Sequence, residues 1–440
     1  MIGHSTNNTM TGQIRNLVLG LGFALHLLRK RMETGAWRTD ARTRDGRIGD
    51  VPRRAPGLRI LVHGVSVGET NALEPLADAL ASSRLMPDVV VSASTETGFA
   101  RARRIHEGRR EVVRFPLDLT WMVDRFLDGL RPDLVVLAEL ELWPTFLASC
   151  AHRGIPVCVV NARMSERSFR GYRTWRLLAG RMFSQLALVA AQREMYRERF
   201  AAMGVPRERT LVTGSLKWDA ALRAPDTAAA RRLAADMGID PSRPLIVAGS
   251  TGPGEEAALL RDLPGGCRLL LAPRSPDRWD EVARLRPGMT RRSAPLPGDH
   301  DVFLLDTIGE LSDAYLLADF VFVGRSLGPM GGSNPLESVA LGKPTVTGPH
   351  HENFAGVVAD LVEAGGLAVS AEPMRLIGRW LDDPAAAAAV ATAGLHAVER
   401  NRGTAGRTAE RVLYLLDRPA SGSTSVGHTL GGTRHGVGSG

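Results

Sequence analysis

The carboxylates and cations of this 440-residue chain that could do chemistry fall just after short apolar runs. Glu69 closes the segment His63-Gly64-Val65-Ser66-Val67-Gly68-Glu69, where Gly64 and Gly68 bracket a tight turn at a helix start. A carboxylate there serves equally as a cap complementing the helix dipole or as a general base. Ser94 and Thr95 follow the next apolar run, and Glu139-Leu140-Glu141-Leu142-Trp143-Pro144 a later one. Glu139 and Glu141 invite a two-carboxylate glycosidase reading, but alternation on an extended segment would aim both the same way rather than across a bond. Arg163, after the following run, reads as a structural ion pair or as a ligand-binding cation. His63 lies inside a run and reads as a packed core histidine.

The second half repeats the habit with Gly249-Ser250-Thr251-Gly252, Pro273-Arg274-Ser275, Gly324-Arg325-Ser326 and Gly348-Pro349-His350. Its sharpest segment is Gly331-Gly332-Ser333-Asn334-Pro335-Leu336-Glu337-Ser338. Two glycines let the backbone approach a ligand, and the helix expected to follow offers amides to an anion. Pro335 suits the first helical turn. Glu337 then serves either to accept hydrogen bonds from ribose hydroxyls or to complement the helix dipole. Neither a P-loop, a Gly-x-Gly-x-x-Gly fingerprint nor a His-Glu-x-x-His zinc site is present. Asp299-His300-Asp301 precedes an apolar run instead of following one and is discounted as a metal site.

The elements that must position these residues are legible as an alternation. Near-continuous apolar runs at 59–65, 89–92, 134–138, 157–160, 186–190 and 211–213 read as parallel strands buried on both faces. A second set lies at 245–248, 269–271, 302–305, 320–323 and 345–347, with helical spacing in stretches such as 72–82 and 227–236. Strand–helix alternation means doubly wound α/β, and two sets mean two domains, as a chain of this length favours. Ligands of such sheets sit beyond the carboxyl ends of the strands, so the polar residues above converge on one place per domain.

The net charge of +8 would suggest a polyanionic partner, but residues 1–60 carry 11 Arg and Lys against 4 Asp and Glu. The remainder is nearly neutral, at 44 against 43, so nucleic acid is not the expected partner. Apolar residues 17–28 precede Arg29-Lys30-Arg31. Twelve residues are too few to span a bilayer, which needs about 20, so they read as a helix lying in an anionic inner-membrane surface or packed on the body. Three cysteines without Cys-x-x-Cys spacing read as reduced thiols.

Taken together, HGVSVGET (63–70), STETG (94–98), RFPLDLTWMVDRFLDGLRPDLVVLAELELWP (114–144), VNARMSERS (160–168), VTGSLKWD (212–219), GSTGPGEE (249–256), APRSPDR (272–278), LLDTIGEL (304–311), FVGRSLGPMGGSNPLE (322–337) and GPHHENF (348–354) resemble the 3-deoxy-D-manno-octulosonic acid (Kdo) transferases of the lipopolysaccharide pathway. The resemblance covers residues 15–417 and implies a GT-B fold, two Rossmann-like domains facing a cleft. It implies a membrane anchor and basic linker at 1–56 and an acceptor domain at 57–222. A linker at 223–239 leads to a nucleotide-sugar domain at 240–402. A helix at 403–418 crosses back, and 419–440 reads as a disordered tail. The implied reaction is inverting transfer of Kdo from CMP-Kdo to a glucosamine hydroxyl of a lipid A precursor, at the cytoplasmic face of the inner membrane, with no metal or cofactor.

On the matching positions, Glu69 would be the general base, with Ser66, Gly68, Ser94, Thr95, Glu141, Arg163 and Lys217 on the acceptor and Kdo side. Lys217 is one of only three lysines in the chain. Ser250, Thr251, Pro273, Arg274, Gly331, Gly332, Ser333, Asn334 and Glu337 would face the nucleotide. Ser275 and Ser333 stand where the family usually has histidine, and Arg325 where it commonly has glycine. The alternative within the fold is an enzyme of a UDP-sugar, either a lipid-A-disaccharide-type transferase or a 2-epimerase. Outside enzymes, the alternative is a non-catalytic sugar-nucleotide-binding protein.

Overall fold

The computed structural model describes residues 44–48, 57–174, 176–220 and 226–417. The segment 17–28, its basic cluster and the tail beyond 417 lie outside the described residues.

Two seven-stranded sheets organise the molecule, all of their named strand pairs parallel. The first contains β1 (Arg59–Gly64), β2 (Asp88–Ala93), β3 (Val112–Arg114), β4 (Leu134–Ala138), β5 (Val157–Ala162), β6 (Leu188–Ala191) and β7 (Thr210–Val212), in the order β3-β2-β1-β4-β5-β6-β7. The second contains β8 (Leu245–Thr251), β9 (Arg268–Pro273), β10 (Thr290–Arg291), β11 (Val302–Leu304), β12 (Phe320–Val323), β13 (Thr345–Thr347) and β14 (Ala368–Val369), in the order β10-β11-β9-β8-β12-β13-β14. In each sheet the order reverses next to its first strand, between β1 and β4 and between β8 and β12. That switch point is where an open α/β sheet leaves a crevice.

Alternate residues of each strand feed opposite cores, because side chains point to opposite faces with period two. Leu61, Val90, Val135 and Val159 join one cluster, and Ile60, Val62, Val136 and Val160 the other. The strand entrances are pinned by matching devices. Asp133 accepts the Arg59 amide at 2.7 Å and Asp319 accepts the Leu245 amide at 2.8 Å. The buried Arg59 side chain adds a 2.7 Å ion pair to Asp88.

The three strands absent from the sequence expectation, β3, β10 and β14, are two or three residues long and lie at sheet edges. Such strands exist only through pairing with a neighbour and carry no periodicity of their own. Within the stretch read as a linker, Arg44–Ile48 lies against the body. Arg44 is buried and donates to the Phe115 carbonyl at 2.9 Å, while Ile48 packs on the first core.

The helices that matter for the cleft are α1 (Val67–Ala81), α2 (Lys217–Ala220), α3 (Glu255–Arg261), α4 (Leu336–Ala340), α5 (Ala355–Glu363) and α6 (Thr404–Leu413). Helix α1 forms where Ser66 supplies an N-cap and Ala72, Leu73, Leu76, Ala77 and Leu80 supply one apolar face. Helix α6 returns to that face, with Ala405, Ala409, Val412 and Leu413 in the α1 cluster. Trp218, of the short α2, goes the other way. It is 1% exposed among Leu336, Val339, Val357, Val358 and Leu361 of the second domain. Asp219 caps α6 through the Gly403 and Ala405 amides, at 2.8 and 2.6 Å. Two consecutive residues thus tie the domains together.

Candidate active site

At the switch point of the first sheet, β1 ends and the chain turns into α1. The Ser66 hydroxyl receives the Glu69 amide and donates to the Glu69 carboxylate at 3.0 Å, while the Val65 amide donates to the other carboxylate oxygen at 2.7 Å. This is a capping box in all but one position. Glu69 is nevertheless largely withdrawn from water, and burial pushes its pKa up against those hydrogen bonds. A carboxylate with a raised pKa is a better proton acceptor near neutral pH than a solvated one. The capping geometry of Glu69 therefore leaves its carboxylate with a raised pKa.

Gly64-Val65-Ser66-Val67-Gly68 also has the strand–turn–helix spacing of a nucleophile elbow. Ser66 has ordinary extended backbone, at φ −111°, and its hydroxyl is engaged by Glu69. His63 is fully buried, stacks on Phe115 at 3.8 Å and holds Ser92 at 3.0 Å, with its pKa driven to about 3 mainly by burial. No activated serine results.

Across the switch point, β4 delivers the other two carboxylates. The segment after Ala138 turns instead of extending. Glu139 takes a left-handed φ of 51° and the Glu141 amide returns to the Ala138 carbonyl at 3.1 Å. Burial, followed by the charges of Glu69 and Glu139, raises Glu141 to about 7. The same two carboxylates attract Lys217, whose pKa burial lowers, and Arg163 repels it. Asn161 organises this side. In a left-handed conformation at the end of β5, its side chain accepts the Leu216 amide at 3.1 Å, which brings Arg163 and Lys217 to one wall. Both line the crevice between the domains, with Arg193, Tyr196, Asn353 and Phe354.

Glu141 keeps its extra proton in the native state between about 4.5, the ordinary glutamate value, and about 7. Stability therefore falls as pH rises through that window. Glu141→Gln, uncharged throughout, is expected to gain melting temperature over the unmodified protein between about pH 5 and about pH 8. A pH-independent difference between the two would rule this coupling out.

In the second domain, the loops after β8 and β12 are sewn together by a carboxylate to which the sequence assigned no role. Glu255, 2% exposed, accepts the amides of Gly252, Arg325, Ser326 and Leu327 at 2.6–2.9 Å. Glu256, fully buried, holds Thr251 at 2.7 Å and a bidentate Arg278 at 2.7 and 3.0 Å. The signal available in the sequence was the acidic pair opening a helix after Gly-rich residues. Glu255→Ala strands four donors, and a loss of about 3 kcal/mol or more in denaturant unfolding is expected. A loss below about 1 kcal/mol would mean the amides find other partners.

Gly331 and Gly332 have φ of 80° and 75°, and the Gly332 amide bonds the Arg325 carbonyl at 2.8 Å. Arg325 itself is left-handed at 59°, the conformation glycine tolerates without cost. The helix expected after this turn is only the five-residue α4, with Pro335 at its N-cap and Asn334 receiving the Leu336 amide at 3.2 Å. So short a helix sums few peptide dipoles, and it adds little to the pull of this turn on an anion.

Several expected site residues have structural duties. Ser94 is buried beside His63. Thr95 caps the following helix through Gly98, at 3.1 Å, and donates to the Val65 carbonyl at 2.7 Å. The Thr251 hydroxyl is turned to Glu256, and Pro273 is buried at the end of β9. Arg274 is exposed beyond that strand, Ser250 is left-handed at 55° beside Ser333, and Glu337 lies near the buried Tyr315 hydroxyl, whose pKa burial raises. Gly68 is exposed in the first turn of α1. Asp299 is paired with Arg268 and Arg243, and Asp301 with Arg243, so neither is available as a metal ligand. Among the described residues, no cluster of metal-ligating side chains occurs and no helix is long and apolar enough to cross a membrane.

Comparison with known proteins gives this geometry its relatives. A UDP-GlcNAc 2-epimerase from Neisseria meningitidis superposes with a TM-score of 0.56 over 81% of this chain and 100% of its own. At 14% identity, the likeness is one of fold, two Rossmann-like domains facing a cleft. Residues 38–220 match the family model described as 3-Deoxy-D-manno-octulosonic-acid transferase (kdotransferase). The 3-deoxy-D-manno-octulosonic acid transferase of Haemophilus influenzae is 32% identical over 380 residues, 82% of this chain and 88% of its own length. That of Bordetella pertussis is 35% identical over 367 residues, 77% of this chain and 82% of its own. On this sequence identity, sustained across both domains, the chain belongs to the 3-deoxy-D-manno-octulosonic acid transferase family, and it is a glycosyltransferase.

Proposed function

We propose that this Kdo transferase moves Kdo with inversion from CMP-Kdo to a glucosamine hydroxyl of a lipid A precursor. Glu69 takes the acceptor hydroxyl proton as the acceptor oxygen bonds the anomeric carbon of Kdo. The bond from that carbon to the phosphate oxygen breaks, and CMP leaves with the bonding pair. Arg163 and Lys217 meet the sugar carboxylate. Glu141, holding a proton near neutral pH, can donate a hydrogen bond to the same acidic sugar without repelling it. Arg274 and the amides of the Gly331–Asn334 turn, that of Gly332 excepted, receive the single phosphate of CMP, with Glu337 toward the ribose. The segment 17–31 rests on the anionic cytoplasmic face of the inner membrane, where its positive charge suits the lipid surface.

The observation that carries this reading is the position of Glu69. It stands half-buried at the first switch point, within the electrostatic reach of Glu139, Glu141 and Lys217, and Lys217 lines the crevice between the domains. The test incubates the purified protein with CMP-Kdo and a lipid A precursor and follows CMP release and product mass. Stoichiometric CMP and Kdo-bearing lipid are expected. Consumption of UDP-sugars with no Kdo addition would overturn the assignment.

A further inference from the structure

Phe354 ends the short turn Glu352–Phe354 of the second domain, and its ring centroid lies 5.2 Å from the Lys217 ammonium of the first. Upstream, the same segment abuts the nucleotide-side turn. The Asn353 amide donates to the Gly331 carbonyl at 3.0 Å, and a side-chain carbon at Gly331 or Gly332 would fall 2.4 Å from Asn353 or 2.9 Å from His351. Downstream, α5 is fastened to the first domain. Arg193 donates to the Gly356 carbonyl at 2.6 Å and pairs with Asp360, and Val357 and Val358 pack on Trp218. There is no slack between the turn and the ring. We propose that Phe354 is a positioning residue that couples the Gly331–Gly332 turn to Lys217, so that the state of the nucleotide turn sets where the ammonium stands.

The physical need is specific. A lysine ammonium on a four-carbon stem has many rotamers, and an aromatic face attracts it to one place. Glu69 and Glu139 draw the cation toward the acid cluster and Arg163 pushes it away. Without the ring it is free to collapse onto the carboxylates, neutralising the charge around the base and leaving the sugar carboxylate without its partner. The nucleotide pocket itself is untouched by that change.

The kinetic arm rests on the Kdo-transfer reading, and a second arm does not. In CMP-Kdo assays of the full chain, Phe354→Leu is expected to lower kcat about ten-fold, with CMP affinity by calorimetry within about two-fold of the unmodified protein. Phe354→Trp, which restores a cation-binding face, should recover most of the loss. In a Lys217→Met background, Phe354→Leu should cost less than about two-fold, because the coupled partner is gone. Equal losses in both backgrounds, or no rescue by tryptophan, would overturn the proposal. Independently of transfer, CMP alone should slow amide exchange at 215–220 in the unmodified protein and not in Phe354→Leu. No change at 215–220 on adding CMP overturns the coupling even if transfer is normal. If the unmodified protein fails to transfer Kdo while this exchange effect is present, the reaction assignment falls and the coupling stands.

Discussion

Glu69→Gln is expected to lower kcat by about 10²–10⁴-fold, the usual contribution of a positioned general base. The isosteric amide makes the experiment clean. Its oxygen can still accept the Val65 amide and its nitrogen can donate to the Ser66 hydroxyl, so the start of α1 remains capped. Folding stability should change by less than about 1 kcal/mol. CMP binding, which the proposed function assigns to the other domain, should be unaffected. The result to look for is a chain that melts normally, binds CMP normally and does not turn over. Near-normal kcat would reduce Glu69 to its capping role.

Trp218→Ala carries the largest expected cost in stability, about 3–5 kcal/mol by denaturant unfolding, as for other buried aromatic truncations. The indole is contributed by the chain that has just left the first sheet, yet the cavity would open among α4 and α5 of the second. The loss should therefore appear as weakened attachment between the domains, with Lys217 displaced alongside. Trp218→Phe, which keeps most of the apolar contact, should retain the greater part of the stability. A loss below about 1 kcal/mol for Trp218→Ala would show that the domains hold together without this residue.

Part of this was readable in the residues themselves. The long central strands announced themselves because a strand buried on both faces is apolar at nearly every position, as in Leu134–Ala138 and the first four residues of Leu245–Thr251. Their polar exits marked the edge where a ligand would lie. Glu69 and Arg163 were legible as candidates because they follow apolar strands, each with a structural duty as the equal alternative, and Lys217 only because its motif resembles that of the family. The edge strands β3, β10 and β14 were not, since their conformation is fixed by a neighbour and not by their own composition.

The assignment of duties within a motif was equally hidden. Ser94, Thr95 and Thr251 sit at the strand exits where the candidate groups of each sheet gather, but which hydroxyl faces the cleft depends on burial and on other partners. Glu255 and Glu256 had no role assigned from the sequence. Only the approach of β12 to β8 makes one a clasp for four amides and the other a seat for Arg278.

By itself, the sequence determined two doubly wound domains, the edge of each sheet where the candidate groups gather, and the charge that sets residues 1–60 apart from a neutral body. Those properties follow from local composition and periodicity. The tertiary structure decided that Glu69 is cap and buried carboxylate at once, that Glu141 titrates near 7, and that Lys217, Trp218 and Asp219 point to three different places. Burial, the charge of neighbours and contact between domains are properties of residues distant in the chain, and they come into being only when the chain has folded.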